Sequence, residues 1–309
     1  MKNKKITVLG SINMDLVTFT RRVPNIGETV LGQSFHMVPG GKGANQAVAT
    51  ARLGADVTLI GCVGNDSFGT ELMDHLEKQG VNVDNVKPVT DSSTGIASIT
   101  IIEGDNQIIV VPGANYEVTS EFIEGYEEII SSSDILILQL EIPVESVEKA
   151  VELAKKHHVK VILNPAPIQP LSKKLLLSVD YLTPNEHEQQ LLLETNGLTT
   201  EERENVLSKC IITRGSKGIV FYHNKKVKEI PSFKVDVVDT TGAGDTFNGA
   251  LAYSLSLDSD LEKACDFANA AAALSVTKFG AQGGMPTIEE VREFMHMRSD
   301  CNEKTWDTK

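Results

Sequence analysis

Residues 135–163 read ILILQLEIPVESVEKAVELAKKHHVKVIL, and this stretch holds the repeating unit of the chain. Residues 135–140 are an apolar run of strand length that includes Gln139, and residues 159–163 are another, broken only by Lys160. Between them, residues 143–158 place Val144, Val147, Val151 and Leu153 at helical spacing. Two strands joined through a helix form a parallel crossover, and strands apolar on both faces need cover on both sides. Further apolar runs lie at 6–9, 57–63 and 211–213, and residues 70–79 set Leu72, Met73 and Leu76 on one helical face before Gly80. The pattern predicts an α/β fold, a doubly wound, mostly parallel sheet flanked by helices.

Two stretches depart from the pattern. Residues 15–38 and 94–112 read as antiparallel strands, with Ile96, Ser98, Thr100 and Ile102 on one parity and Glu103-Gly104-Asp105-Asn106 turning 99–102 back onto 107–111. They predict a small antiparallel β lid, residues 15–38 and 94–112, inserted into a body of residues 1–14, 39–93 and 113–297. Ile99, Ile101 and Ile102 put apolar groups on both parities, so a second lid should cover the outer face and make a homodimer; packing on the chain's own body is the alternative. Helices are expected over 245–257 and 261–277, and residues 298–309, with Trp306, as a polar frayed tail.

The chain has 309 residues, 41% of them hydrophobic and 23% charged, values of an ordinary globular protein. Its net charge of -13 excludes a broad electrostatic grip on nucleic acid or an anionic membrane, so an anionic ligand must be held locally. Cys62, Cys210, Cys265 and Cys301 lie far apart, without metal-ligand spacing, and read as reduced packing residues. With no signal-type apolar segment after MKNKKITVLGS, the expected location is the cytoplasm.

The strongest chemical signal is Asp239-Thr240-Thr241-Gly242-Ala243-Gly244-Asp245-Thr246-Phe247-Asn248-Gly249-Ala250, between an expected strand over 233–238 and an apolar helix. Small residues at 242–244 aim backbone N–H groups into open space at a helix N-terminus, a place built for an anion. Asp245 beside that anion hole suits a base that takes a proton from a substrate hydroxyl; the bland alternative is a helix cap. Gly40-Gly41-Lys42-Gly43-Ala44-Asn45 opens another helix but is neither a Walker A loop nor GxGxxG, since Gln46 stands where the third glycine belongs. Its amide and ammonium donors suit a polyhydroxylated ligand, and a turn alone would look the same. Asn13-Met14-Asp15, Glu141, Asn164, and Asn185 with Glu188 each follow a strand, at the edge where parallel sheets bind ligands. Thr213-Arg214-Gly215-Ser216-Lys217-Gly218 supplies small and cationic groups for a nucleotide, or a simple hairpin turn. The seven histidines show no metal-ligand spacing, and Lys225-Lys226-Val227-Lys228 reads as a solvated hairpin.

Taken together and in order, these residues resemble the ribokinase-like family of carbohydrate kinases over residues 9–285, with 239–250 similar to its C-terminal signature and 40–45 to its N-terminal one. Asn13-Met14-Asp15, Gly41–Asn45, Gln139-Leu140-Glu141 and Asn164-Pro165-Ala166-Pro167 are similar to the members that act on D-ribose, more than to those for fructose or adenosine. The resemblance implies that Asp15, Gly41, Lys42, Gly43, Asn45 and Glu141 hold the sugar hydroxyls, with Asn13 nearby. It implies Asp245 as base for the 5-hydroxyl and Gly242, Ala243 and Gly244 as stabilisers of the transferring phosphoryl group. ATP would be bound by Asn185, Thr213, Arg214, Gly215, Ser216, Lys217, Gly218, Gly244 and Asn269, and Mg²⁺ organised through water by Asn185 and Glu188. K⁺ would be held by Asp239 and by carbonyls of Thr241, Ser275, Lys278 and Gly280. Gly284 falls where relatives offer a serine oxygen, which leaves a sixth ligand open. Rival readings are another sugar kinase for deoxyribose or fructose, a dinucleotide-dependent oxidoreductase and a silent sugar-binding regulator; the lack of GxGxxG after residues 6–9 argues against the oxidoreductase.

Overall fold

The computed structural model describes residues 4–102, 105–195, 197–223 and 226–304. In chain order, β1 (Lys5–Leu9) is followed by β2 (Asn13–Phe19), β3 (Ser34–Gly40) and α1 (Lys42–Arg52). Next come β4 (Asp56–Gly64), α2 (Ser67–Lys78), β5 (Val81–Val89), β6 (Gly95–Ile102) and β7 (Asp105–Val111). Two short helices, α3 (Ser120–Glu124) and α4 (Glu127–Ser131), lead into β8 (Ile135–Leu138), α5 (Val144–Lys156), β9 (Lys160–Leu163), α6 (Lys173–Ser178) and β10 (Tyr181–Leu182). The last third holds α7 (Glu186–Thr195), α8 (Thr200–Lys209), β11 (Ile211–Thr213), β12 (Ile219–His223), β13 (Lys226–Ile230), α9 (Ala243–Ser256), α10 (Leu261–Ser275) and α11 (Ile288–Lys304).

The main sheet has the order β10-β9-β8-β1-β4-β5, and every pair in it is parallel. Its apolar strands bury both faces. One cluster joins Val8, Val57 and Leu59 to Ala47 and Val48 of α1 and to Leu251 of α9; the other joins Leu9, Leu136 and Leu138 to Val147 and Val151 of α5. The strand order reverses at β1, so a crevice opens beyond the carboxyl ends of β1 and β8. A parallel bridge between Leu182 and Cys210 carries the layer on to the antiparallel β11-β12-β13 sheet. Among the described residues, no helix is long and apolar enough to cross a membrane.

The second sheet, β3-β2-β6-β7, stands apart as expected. Its outer pairs are antiparallel, and the β2–β6 pair in the middle is parallel. The cause is the body beneath it: β2 follows β1 and β6 follows β5, so both leave the carboxyl edge of one parallel sheet in the same direction. Of the expected turn, Glu103 and Gly104 lie outside the described residues, and Asp105 and Asn106 already belong to β7. Ile99, Ile101 and Ile102 are half-buried, whereas Phe35 (56% exposed) on β3 and Ile109 (69% exposed) on β7 face outward.

Two expectations are corrected. Residues 233–238 form no strand: the segment is irregular, leaves Val237 and Val238 exposed, and is tied at Val238, whose N–H donates to the Val276 carbonyl. The segment 298–304 continues α11 as helix instead of fraying, because α11 runs unbroken from Ile288 with no Gly or Pro to stop it; Trp306 lies outside the described residues.

Candidate active site

The crevice is lined from four directions. Gly41 begins α1 at φ 88°, where a side chain would meet the backbone of Ser11 and Ile12. A Cβ at Gly43 would lie 2.5 Å from the Gly10 backbone, so only glycine lets α1 start against the end of β1. That contact presents Lys42, Asn45 and Gln46 to the crevice. From the far side, α9 starts at Gly242, in the left-handed region at φ 77°, and no side chain caps it. The position of a Cβ at Gly244 meets nothing within 4 Å, so open space adjoins the helix N-terminus.

Asp245 sits in the first turn of α9 and is 7% exposed. Asn45 Nδ2 donates to its Oδ2 and Gln46 Nε2 to its Oδ1, both at 3.0 Å. Burial raises its pKa, against Lys42 and the two amides, and Glu141 adds to the rise. Glu141, just beyond β8, accepts from the Ser11 hydroxyl and from the Lys42 N–H at 3.0 Å. Asp15, on β2, lies against Gly40, where a Cβ would come within 2.4 Å of its carboxylate oxygens. Burial pushes Asp15 up to about 7, with Glu141 and Asp245 adding to the rise and Lys42 opposing it. Burial works against the Lys42 ammonium, yet Asp245, Glu141, Glu188 and Asp15 together hold its pKa above the ordinary lysine value. Four carboxylates thus act on one half-buried lysine, with Asp15, Glu141 and Asp245 acting on one another as well.

The other expected residues fall into three groups. Asn13 is buried and accepts from Asn115 Nδ2 at 2.7 Å, which locks the start of β2. Asn185 and Glu188 bind each other reciprocally at 2.8 Å across the start of α7, and a parallel bridge sets Asn185 beside Thr213. The segment 213–218 turns β11 into β12: Arg214 pairs with Glu229 at 3.1 Å, Lys217 with Glu186 at 3.6 Å, and Gly215 and Gly218 take positive φ. Asn269, buried on α10, donates to the Pro231 carbonyl at 2.9 Å. In the third group, Asp239 accepts from the Thr241 N–H and hydroxyl and from the Gly280 N–H. Burial opposes the charge on Asp239, and these donors outweigh it and hold its pKa low. Lys278 pairs with Glu290, and Gly284 packs so tightly on the Ser275 carbonyl that a Cβ would stand 1.9 Å from it.

Four residues of this site were missed in the sequence. Ser11 bridges Glu141 and the Gly43 N–H, Asn115 ties β2 to the segment after β7, and Gln46 and Gln282 hold Asp245 directly or through Asn45. The available signal was Gln46 itself, a buried polar residue on one helical face with Lys42, Asn45 and Thr50 in an otherwise alanine-rich helix.

The pfkB family carbohydrate kinase description matches residues 3–288. The chain is 48% identical over 293 residues to the ribokinase of Bacillus subtilis, covering 94% of this chain and 99% of that one. A Thermotoga maritima ribokinase structure superposes with a TM-score of 0.85 at 39% identity, covering 94% of this chain and 99% of that one. An Arabidopsis thaliana ribokinase complexed with ribose and ATP superposes with a TM-score of 0.87 at 33% identity, covering 94% and 98%.

The electrostatics of the crevice predict a titration. In the ligand-free protein the Asp15 carboxyl should titrate near pH 7, seen as a carboxyl carbon resonance that is absent from Asp15→Asn. Glu141→Gln removes a neighbouring negative charge and should move that titration downward; an unchanged midpoint would mean that the two carboxylates do not interact.

Proposed function

The chain belongs to the pfkB family of carbohydrate kinases, and on that premise we propose that it is a ribokinase, transferring the γ-phosphoryl group of ATP to O5 of D-ribose to give D-ribose 5-phosphate and ADP. The observation that carries the reading is Asp245, a buried carboxylate at the uncapped N-terminus of α9, facing a crevice of polar groups suited to sugar hydroxyls. Asp15, Glu141, Lys42 and Asn45 hold the ribose, with Gly41 and Gly43 giving close backbone approach and Asn13 fixing the root of β2. Asp245 takes the proton of the 5-hydroxyl as its oxygen attacks the γ-phosphorus, and the bond to the β-phosphate oxygen breaks. The N–H groups at Gly242, Ala243 and Gly244 meet the charge on the phosphoryl oxygens. The nucleotide lies along Asn185, the 213–218 turn and Asn269.

Two ions belong to this reading. Magnesium, bound with the nucleotide, neutralises phosphate charge, and it needs only one or two carboxylates besides phosphate and water. Glu188, half-buried at that edge and coupled to Lys42, fits this need. Potassium fits the oxygen-rich turn of Asp239, Thr241, Ser275, Lys278 and Gly280, where a carboxylate kept ionised lies one turn from α9. A Cβ at Gly284 would stand 1.9 Å from the Ser275 carbonyl, so residue 284 offers no side-chain oxygen in this arrangement. We place the enzyme in the cytoplasm, in keeping with buried, free Cys62, Cys210 and Cys265.

We further propose that residues 15–38 and 94–112 act as a lid on the body formed by 1–14, 39–93 and 113–297, and that two lids pair in a homodimer. Support comes from the exposed apolar groups of Phe35, Met37 and Ile109, which share the sheet face opposite Asp15.

Asp245→Asn should lower kcat by roughly 10²- to 10⁴-fold while the KM values for ribose and ATP stay close to wild type. A variant keeping more than half of wild-type kcat removes Asp245 from the chemistry, and a panel of pentoses and hexoses in the same assay separates ribose from deoxyribose and fructose. Replacing K⁺ by Na⁺ or a bulky organic cation at matched ionic strength should reduce kcat; equal rates in all three reject the cation site. Sedimentation should give a dimer for the wild type and a monomer for Ile109→Asp, whose KM should rise more for ribose than for ATP because Asp15 shares the lid. A monomeric wild type at micromolar concentration rejects the pairing.

A further inference from the structure

Beneath the crevice runs a chain of buried amides. The Thr183 carbonyl can only accept, and Asn164 Nδ2 donates to it at 3.1 Å, so Asn164 must present Oδ1 on its other side. Gln46 Nε2 donates to that Oδ1 at 3.2 Å and to Asp245 Oδ1 at 3.0 Å. Gln46 Oε1 then faces Gln139, whose Nε2 donates to it at 2.7 Å. All four of these side chains are buried.

One atom makes this arrangement informative. Gln139 Oε1 is buried without a hydrogen-bond partner, wedged so closely against Gly10 that a Cβ there would stand 1.9 Å away. Turning the Gln139 amide over would set its oxygen against Gln46 Oε1, acceptor on acceptor, and drive Gln46 to present its own oxygen to Asp245. The fold keeps an unsatisfied carbonyl at Gln139 and thereby keeps a donor on the carboxylate.

We propose that Gln46 is a positioning residue for phosphoryl transfer: its amide, oriented by Asn164 and Gln139, fixes the rotation of the Asp245 carboxylate so that one oxygen lone pair faces the substrate hydroxyl. The inference rests on the reading of Asp245 as the base. Asn45 holds the second oxygen in the same manner, through Gln282, whose Nε2 donates to Asn45 Oδ1 at 2.9 Å. A donor to the ionised form also opposes the upward shift that burial imposes on Asp245, in a setting where Lys42 of α1, Glu141 beyond β8 and Asp15 of β2 are the charged groups that face it.

The test is Gln46→Met, which keeps length and removes both amide functions. Expected is a fall in kcat of about 10- to 100-fold, KM values within about twofold, and an acid limb of the kcat–pH profile moved to higher pH. Gln139→Met should shift both readouts the same way but less, and the double variant should be no worse than Gln46→Met alone. In an Asp245→Asn background, Gln46→Met should cost nothing further. A Gln46→Met enzyme with unmoved acid limb and kcat within about twofold of wild type overturns the proposal, as do losses that multiply in the double variant. If Gln46→Met does not fold, Gln139→Met decides by the same two readouts. An active Asp245→Asn enzyme sinks the base itself, whereas an inactive Asp245→Asn beside an unimpaired Gln46→Met sinks only the positioning role.

Discussion

The rest of the structure is organised around a carboxylate taken out of water at the start of a helix. Asp245 is 7% exposed, and an ionised group so buried needs donors close by. They come from α1, about two hundred residues away in sequence, so α1 and α9 must lie side by side with little tolerance. Gly249 permits this: a Cβ there would meet Ala49 at 2.8 Å and Thr50 at 2.9 Å. Gly41 and Gly43 set the near end of α1 against β1, and the parallel sheet sets β1 beside β8, which brings Glu141. Together these contacts fix where Asp245 stands relative to Lys42, Glu141 and the end of β1.

The same geometry separates two kinds of ligand. The chain carries a net charge of -13, so nothing in its general field draws in a nucleotide. Positive potential is concentrated instead at the N-terminus of α9, with its open Gly244 and no side-chain cap, and at Lys42. On the sugar side the charges are mainly negative, with Asp15, Glu141 and Asp245 around that single ammonium. An anion is favoured on one side of Asp245, and hydroxyl donors are favoured on the other.

What the sequence made legible follows from range. Most strands of the main sheet are apolar on both faces, a local property, and the Gly-rich helix starts are local too, so the parallel sheet and both loops could be read from single stretches, whereas the edge strand β5, with Asn82 and Asp84 exposed, could not. The direction of β2 against β6 depends on which edge of the body each strand leaves, and no residue within either strand encodes that. Residues 233–238 alternate like a strand, yet the backbone there is irregular, and the alternation alone misleads. Gln46, Asn115 and Gln282 escaped notice because their partners lie far away along the chain; Gln46 alone left a trace, as a polar group in an alanine-rich helix.

The lid enters the chemistry through Asp15. This residue lies on β2 and leans on Gly40 at the end of β3, so on the proposed reading one wall of the sugar site belongs to the four-stranded sheet and the others to the parallel sheet and its helices. Its neighbours Glu141 and Asp245 are both acidic, and together with burial they raise its pKa to about 7. One ammonium cannot neutralise three carboxylates, so near neutral pH the empty site holds Asp15 only partly ionised. A neutral polyol offers several O–H donors without bringing further negative charge, and donors favour the ionised form of each carboxylate they reach. Binding such a ligand therefore favours the charged state of Asp15. A second anion in that position would meet the same carboxylates as repulsion. On the proposed reading, the crowding of like charges around Lys42 favours a neutral, polyhydroxylated substrate over an anionic one.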